Sequence, residues 1–159
     1  MKKTLFDPQV NGGPGITERF VDFSVPGLTP DLVLEVSHRW REMGSGLYLP
    51  TVITTSPDGY NNLAAIAAAM DNPLGQSILG IHVEGPFLNP IAKGAHPEKF
   101  MVAPTIEDFR RLQDLANGRI VLMTLAPELN GALDLIEHLA ESGVAVSIGH
   151  SQIVLPQFQ

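Results

Sequence analysis

Gly80-Ile81-His82-Val83-Glu84-Gly85-Pro86-Phe87-Leu88-Asn89 decides the fold, together with Gly94-Ala95-His96-Pro97 just beyond it. The apolar run from Ile78 to Val83 has the make-up of a buried strand, and it ends on a carboxylate. Gly85 permits a sharp turn and Pro86 has no N–H for a sheet ladder, so the strand stops at or just after Glu84. A charge at the carboxyl end of a buried strand, with a loop following, is where parallel α/β proteins put their chemistry. A carboxylate there could equally do no more than accept hydrogen bonds from the turn it precedes.

Working outward, strands and helices alternate. Leu5 to Val10 is a short strand candidate, and Asn11-Gly12-Gly13-Pro14-Gly15 ends it in a turn-rich loop. Residues 16–29 read as an irregular connection. Thr29-Pro30-Asp31 offers an N-cap with Pro at the first helical position. Leu32, Val33, Val36, Trp40 and Met43 then recur at helical spacing up to Gly44. A second strand spans Leu47 to Ile53 and carries Pro50. Ser56-Pro57-Asp58 starts an alanine-rich helix over Tyr60 to Met70, and Ser77 to Glu84 is the third strand. A long polar loop, Gly85 to Pro104, leads to Thr105-Ile106-Glu107-Asp108, which has capping-box spacing and opens a third helix. Arg119 to Leu125 is a fourth strand, Gly131 to Ser142 a fourth helix, and Val144 to Ile148 a fifth strand ending in Gly149-His150-Ser151.

Five strands alternating with four helices imply right-handed βαβ units and a parallel sheet. A closed (β/α)8 barrel takes about 250 residues, and this chain has 159. Two architectures fit: an open doubly wound sheet, or a partial (β/α)8 TIM barrel holding about the first five strands and four helices.

Composition narrows the chemistry. A net charge of −7 with no basic cluster argues against a nucleic-acid partner. The chain has no cysteine, so any metal must be held by His, Asp, Glu or main chain. No apolar run approaches bilayer length and the N-terminus is no signal peptide, so a cytoplasmic location and no membrane partner are expected. The glycines at 12, 13 and 15 lack a dinucleotide fingerprint, and there is no P-loop.

The strand ends collect polar groups: Gln9 and Asn11, then Thr54 and Thr55, then Glu84, Glu128 and His150. In a parallel sheet these ends share one rim. Glu84 and His150 are a candidate pair of ligands for a divalent metal, but a catalytic zinc usually takes three protein ligands. The third would come from His96, from Glu128, from a partner, or from residues outside this chain. His96 could bind an anionic or hydroxylated substrate over the rim, or be a solvated loop histidine. His82 alternates with Glu84 and so shares its face; it reads as a satisfied interior histidine. His38 and His138 are expected on solvent-exposed helix faces. Glu128, after Pro127 at a helix start, fits a helix cap at least as well as a catalytic role.

Taken together, the motifs resemble the N-acetylglucosamine-6-phosphate deacetylase family of the amidohydrolase superfamily. The residues that carry the resemblance are Gln9-Val10-Asn11-Gly12, Leu49-Pro50-Thr51, Gly80 to Phe87, Lys93-Gly94-Ala95-His96, Leu125-Ala126-Pro127-Glu128 and Gly149-His150-Ser151. The resemblance implies a (β/α)8 barrel and a metal-dependent hydrolase that removes the acetyl group from N-acetylglucosamine 6-phosphate, giving glucosamine 6-phosphate and acetate. It makes Glu84 and His150 metal ligands and His96 a substrate contact. Gln9 and Asn11 stand where many amidohydrolases carry a His-x-His pair, as in single-metal members, so one divalent ion, zinc or iron, is expected. The partner it implies is a small-molecule amino-sugar phosphate.

The resemblance also marks departures. The family's second histidine ligand, its acid/base aspartate and its small β-sandwich have no counterpart here. The expectation is therefore a truncated form, with a partial barrel over residues 1–151, an atypical tail over residues 152–159, and no catalytic acid/base within the chain. Two alternatives accompany it: a non-catalytic fragment that self-associates into a homo-oligomer through its open sheet edges, and a deacetylase of another N-acyl amino sugar.

Overall fold

The computed structural model describes residues 5–16 and 19–154. Its first element is β1 (Leu5–Val10), followed by a hairpin of β2 (Gly12–Pro14) and β3 (Phe20–Asp22). Then come α1 (Pro30–Glu42), β4 (Ser45–Ile53), α2 (Pro57–Tyr60), α3 (Asn62–Met70) and β5 (Ile81–Glu84). α4 (Ile106–Leu115), β6 (Ile120–Leu125), α5 (Ala132–Glu141) and β7 (Ala145–Ile148) complete it.

The helix starts follow from their caps. The hydroxyl of Thr29 accepts from the N–H of Leu32, that of Ser56 from Gly59, and that of Thr105 from Asp108. The Thr105 hydroxyl also donates to the Asp108 carboxylate at 2.7 Å, so Asp completes the box through the side chain.

The larger sheet runs β1-β4-β5-β6-β7, every pair parallel, in the order of the chain. A doubly wound sheet reverses strand order at a switch point; this one never does. Successive helices also pack side by side, α1 on α3, α3 on α4 and α4 on α5, as one row against one face. The winding is that of a curled partial TIM barrel, and the open doubly wound alternative falls.

Between sheet and helices lies the apolar core. Val33, Val36, Leu63, Ile66, Phe109, Leu112, Leu135 and Leu139 from the helices meet Val52, Ile81, Val83, Met123 and Leu125 from the strands. The other face of β5 is polar. His82 and Glu84 point there, and Thr51 and Thr124 come from the paired strands on either side.

Three local expectations change. The stretch after Val10 is not only a turn, because Gly12–Pro14 pairs antiparallel with Phe20–Asp22. A side chain at Gly13 would strike Trp40 and Val36 of α1, which is why a glycine-rich segment can lie flat there. The alanine-rich helix begins earlier, at Pro57, and is interrupted at Asn61. Next to the break, the buried Asn62 amide donates to the carbonyls of Phe23 and Val25 at 2.9 and 2.8 Å. The third strand is shorter than Ser77 to Glu84, since Ile78 makes only an isolated bridge to Tyr48. Pro50 is tolerated within β4 because the ladder to β1 is irregular around it. Residues 151–154 form neither helix nor strand. The expectations for residues 1–4 and 155–159 lie outside the described residues.

His82 supplies a stability test. It is 1% exposed, with Nδ1 3.1 Å from the Thr51 hydroxyl and Nε2 2.8 Å from that of Thr124. Burial pushes its pKa down to about 4, against the nearby Glu84 charge. The unfolded chain therefore binds this proton more readily than the folded one between about pH 6.5 and 4. The contribution is complete above about 6.5 and is lost as pH falls through about 4, for a total of roughly 3 kcal/mol. Urea denaturation of the chain should show a midpoint that falls over that window. His82→Gln should flatten the fall, and an unchanged slope in that variant would contradict the assignment.

Candidate metal centre

Glu84 ends β5 and is 7% exposed. Gly85 follows at φ 85, where a side chain would collide with the Thr54 hydroxyl and Leu88, so this position admits only glycine. The turn sends the chain away from the sheet and back over the rim. The segment is less polar than expected: Phe87 and Leu88 are buried, and short 3-10 turns form at Pro90–Ala92 and Glu98–Phe100.

His150 lies just past β7 with φ 51, a left-handed backbone uncommon outside glycine. Three contacts hold it. Its carbonyl accepts from the N–H of Asn89 at 3.0 Å. Ring Nδ1 lies 3.0 Å from the carbonyl of Ala92, and Nε2 lies 3.0 Å from Glu84 Oε1. A carbonyl can only accept, so Nδ1 carries a proton and Nε2 is the atom presented to the site.

His96 reaches the same point from the loop. It is 5% exposed, not a solvated loop histidine, because the loop folds back over the strand ends. Its Nδ1 stands 3.0 Å from the Thr54 hydroxyl, which itself donates to the Glu84 carbonyl. The Thr54 proton being committed, His96 Nδ1 donates and Nε2 is again the atom turned to the site, 3.7 Å from Glu84 Oε1. The two imidazoles meet edge to face with centroids 4.3 Å apart. One donor atom from each of Glu84, His96 and His150 lies within 4.8 Å of the others. One carboxylate oxygen and two imidazole nitrogens at that spacing suit a zinc-like divalent ion. The His96 and His150 imidazoles hold the Glu84 carboxyl down to about 2 against its burial, so it is ionised at neutral pH.

Gln9, from β1, donates its amide to Glu84 Oε2 at 3.0 Å. That leaves Oε1 as the oxygen turned to the imidazoles. Thr55 serves the backbone instead, its hydroxyl donating to the Ser24 carbonyl, and the main-chain carbonyl of Asn11 accepts from Phe23 N–H. His38 is exposed as expected and pairs with Glu42. His138 is half-buried with its ring edge against Phe109, because α4 packs on α5 there. Glu128 caps no helix: α5 begins at Ala132 behind Gly131, and no side chain caps it. Sequence reasoning did not see Thr54 and the Ala92 carbonyl as the holders of the two rings. A carbonyl leaves no mark in sequence, and one threonine among Thr51, Thr54 and Thr55 does not stand out.

Thr54→Val should leave the buried His96 Nδ1–H without an acceptor and cost about 1–3 kcal/mol. Chemical denaturation checks this, and a neutral substitution would mean that His96 is held otherwise.

No family model matches the chain. The N-acetylglucosamine-6-phosphate deacetylase of Danio rerio is 35% identical over 161 residues, covering 96% of this chain and 38% of that protein. The crystal structure of the deacetylase from Pasteurella multocida superposes with a TM-score of 0.80 at 30% identity, covering 94% of this chain and 38% of that one. A mutant of the Mycobacterium smegmatis enzyme in complex with N-acetyl-D-glucosamine-6-phosphate gives a TM-score of 0.84 at 29% identity, over 97% of this chain and 38% of that one. By sequence and by fold, the chain is a relative of the N-acetylglucosamine-6-phosphate deacetylases, matching a stretch of their barrel that amounts to about 38% of their length.

Proposed function

We propose that Glu84 and His150 hold one divalent metal ion, zinc or iron, in the service of removing the acetyl group from N-acetylglucosamine 6-phosphate. The observation that carries this reading is the convergence of Glu84 Oε1, His150 Nε2 and His96 Nε2 on one point, with both ring Nδ1 atoms tied behind it. Such ties to a carbonyl and a hydroxyl fix ring orientation and raise ligand basicity. When bound, a divalent ion supplies a Lewis acid for an amide carbonyl and for the attacking water. Glu84 and His150 contribute the two donors that lie nearest each other, at 3.0 Å. His96, set slightly back at 3.7 Å, contacts the substrate beside them. Gln9 keeps the second carboxylate oxygen occupied. The substrate assignment rests on the relatives, one of which was captured with N-acetyl-D-glucosamine-6-phosphate. A phosphorylated sugar accords with a cytoplasmic place of action, and among the described residues no helix is long and apolar enough to cross a membrane.

The ligand assignment separates by substitution. Two protein ligands are expected to hold the ion weakly, and Glu84→Ala and His150→Ala should each abolish the zinc binding that calorimetric titration detects. His96→Ala should keep it and weaken binding of the sugar phosphate. Loss of zinc from His96→Ala as well would make His96 a ligand and not a substrate contact. With no acid/base among its residues the chain itself is expected to release little acetate, so binding of a panel of N-acyl amino sugars tests the substrate. A preference for an unphosphorylated or differently acylated sugar would move the assignment within the same chemistry.

One observation favours a second reading, a self-associating non-catalytic role. β1 and β7 are the edges of the larger sheet, and Leu5 and Phe6 at one side and Leu133 and Ile148 at the other are exposed. In that case the chain's mass by light scattering should rise with concentration. A constant monomer mass would count against it.

A further inference from the structure

Glu128 stands in the loop between β6 and α5, half-buried, and its carboxylate takes three hydrogen bonds. Oε1 accepts from Asn89 Nδ2 at 2.8 Å and from the N–H of Gln152 at 2.7 Å. Oε2 accepts from the Ser151 hydroxyl at 2.6 Å. These donors bracket a single residue. Ser151 and Gln152 follow His150 directly, and Asn89 donates its own N–H to the His150 carbonyl at 3.0 Å.

That residue needs holding. His150 is in the left-handed region, which an L side chain leaves readily unless its surroundings fix it. Residues 151–154 have no helix or strand to hold them. Upstream, Gly149 is anchored to the sheet through the Leu125 carbonyl at 3.1 Å. Downstream, the first strong anchor is the Glu128 carboxylate. If that anchor is released, His150 can relax to negative φ, and its ring then swings away from Glu84 and from the Ala92 carbonyl.

We propose that Glu128 is a positioning residue: by gripping Ser151, Gln152 and Asn89, it fixes His150 in the backbone conformation from which Nε2 meets Glu84 Oε1. Its link to metal affinity rests on the reading of the centre given above; its link to His150 geometry does not.

The test uses the full 159-residue chain and two readouts. Cobalt(II) is titrated by its visible absorption, and the His150 ring protons are followed by NMR in the metal-free protein. Glu128→Ala should weaken cobalt binding about 10–100-fold and move the His150 ring resonances toward those of a free imidazole, while those of His82 stay in place. Glu128→Gln, whose amide oxygen can still accept from Gln152 N–H and Asn89 Nδ2 while its NH2 turns to the Ser151 hydroxyl, should recover part of both effects. If Glu128→Ala does not fold, Glu128→Gln and Ser151→Ala carry the test, with smaller shifts in the same direction. Unchanged cobalt affinity and an unmoved His150 ring would overturn the proposal, even if the melting temperature fell, because that is the signature of a merely structural tie. If the unsubstituted chain takes up no cobalt, the metal reading fails, and the His150 resonances alone decide the positioning role: displacement upholds it and no displacement overturns it.

Discussion

A carboxylate enclosed at the end of a buried strand is tolerable only when donors surround it. Glu84 imposes that requirement on everything near it. The donors come from far apart in the sequence: Gln9 from the first strand, His96 from the loop after β5, and His150 from the turn after β7. They can meet because a parallel sheet wound in one direction puts all its carboxyl ends on one rim. The register of β5 with β4 and β6 sets Glu84 level with Ile53 and Thr124, and the loop after β5 and the turn after β7 bring His96 and His150 to it.

Much of this was legible in the residues. Alternation of strand and helix signals located the strands of the larger sheet and most helix starts, because caps such as Thr29 and Thr105 act locally. What remained ambiguous was the winding, since the same alternation serves an open sheet and a barrel. Chain-ordered pairing and the single row of helices resolved it. The β2–β3 hairpin escaped because its glycines look like a turn, whereas their use is to let backbone approach Trp40 and Val36. Asn62 escaped for the opposite reason: a polar residue in a helix suggests solvent, yet its amide is buried against the segment from Phe23 to Leu28.

The histidines show where residue type stops being informative. Spacing alone left His96 open between a solvated loop residue and a site residue, and only the fold of the loop buried it beside Glu84. Glu128 looked like a helix cap because it follows Pro127, but α5 starts four residues later, and the carboxylate turned to Asn89, Ser151 and Gln152 instead. Tertiary contacts overrode a local signal in each case.

The polar rim beside β5 carries two histidine environments, and the difference between them explains why the candidate ligand atoms gather where they do. His82 and Glu84 are two residues apart on one face. His82 has both nitrogens engaged, with Thr51 and Thr124, and burial keeps it neutral over most of the pH range. It therefore offers no free lone pair to an ion and adds no positive charge beneath the carboxylate. His96 and His150 tie Nδ1 to Thr54 and to Ala92 and turn Nε2 to Glu84 Oε1, at 3.7 and 3.0 Å. One neutral imidazole below, tied through both nitrogens, and two imidazoles above, each with Nε2 on Glu84, thus gather the candidate ligand atoms at Glu84 Oε1. The place of the candidate centre is set less by which residues are histidine than by which partner each ring nitrogen has found.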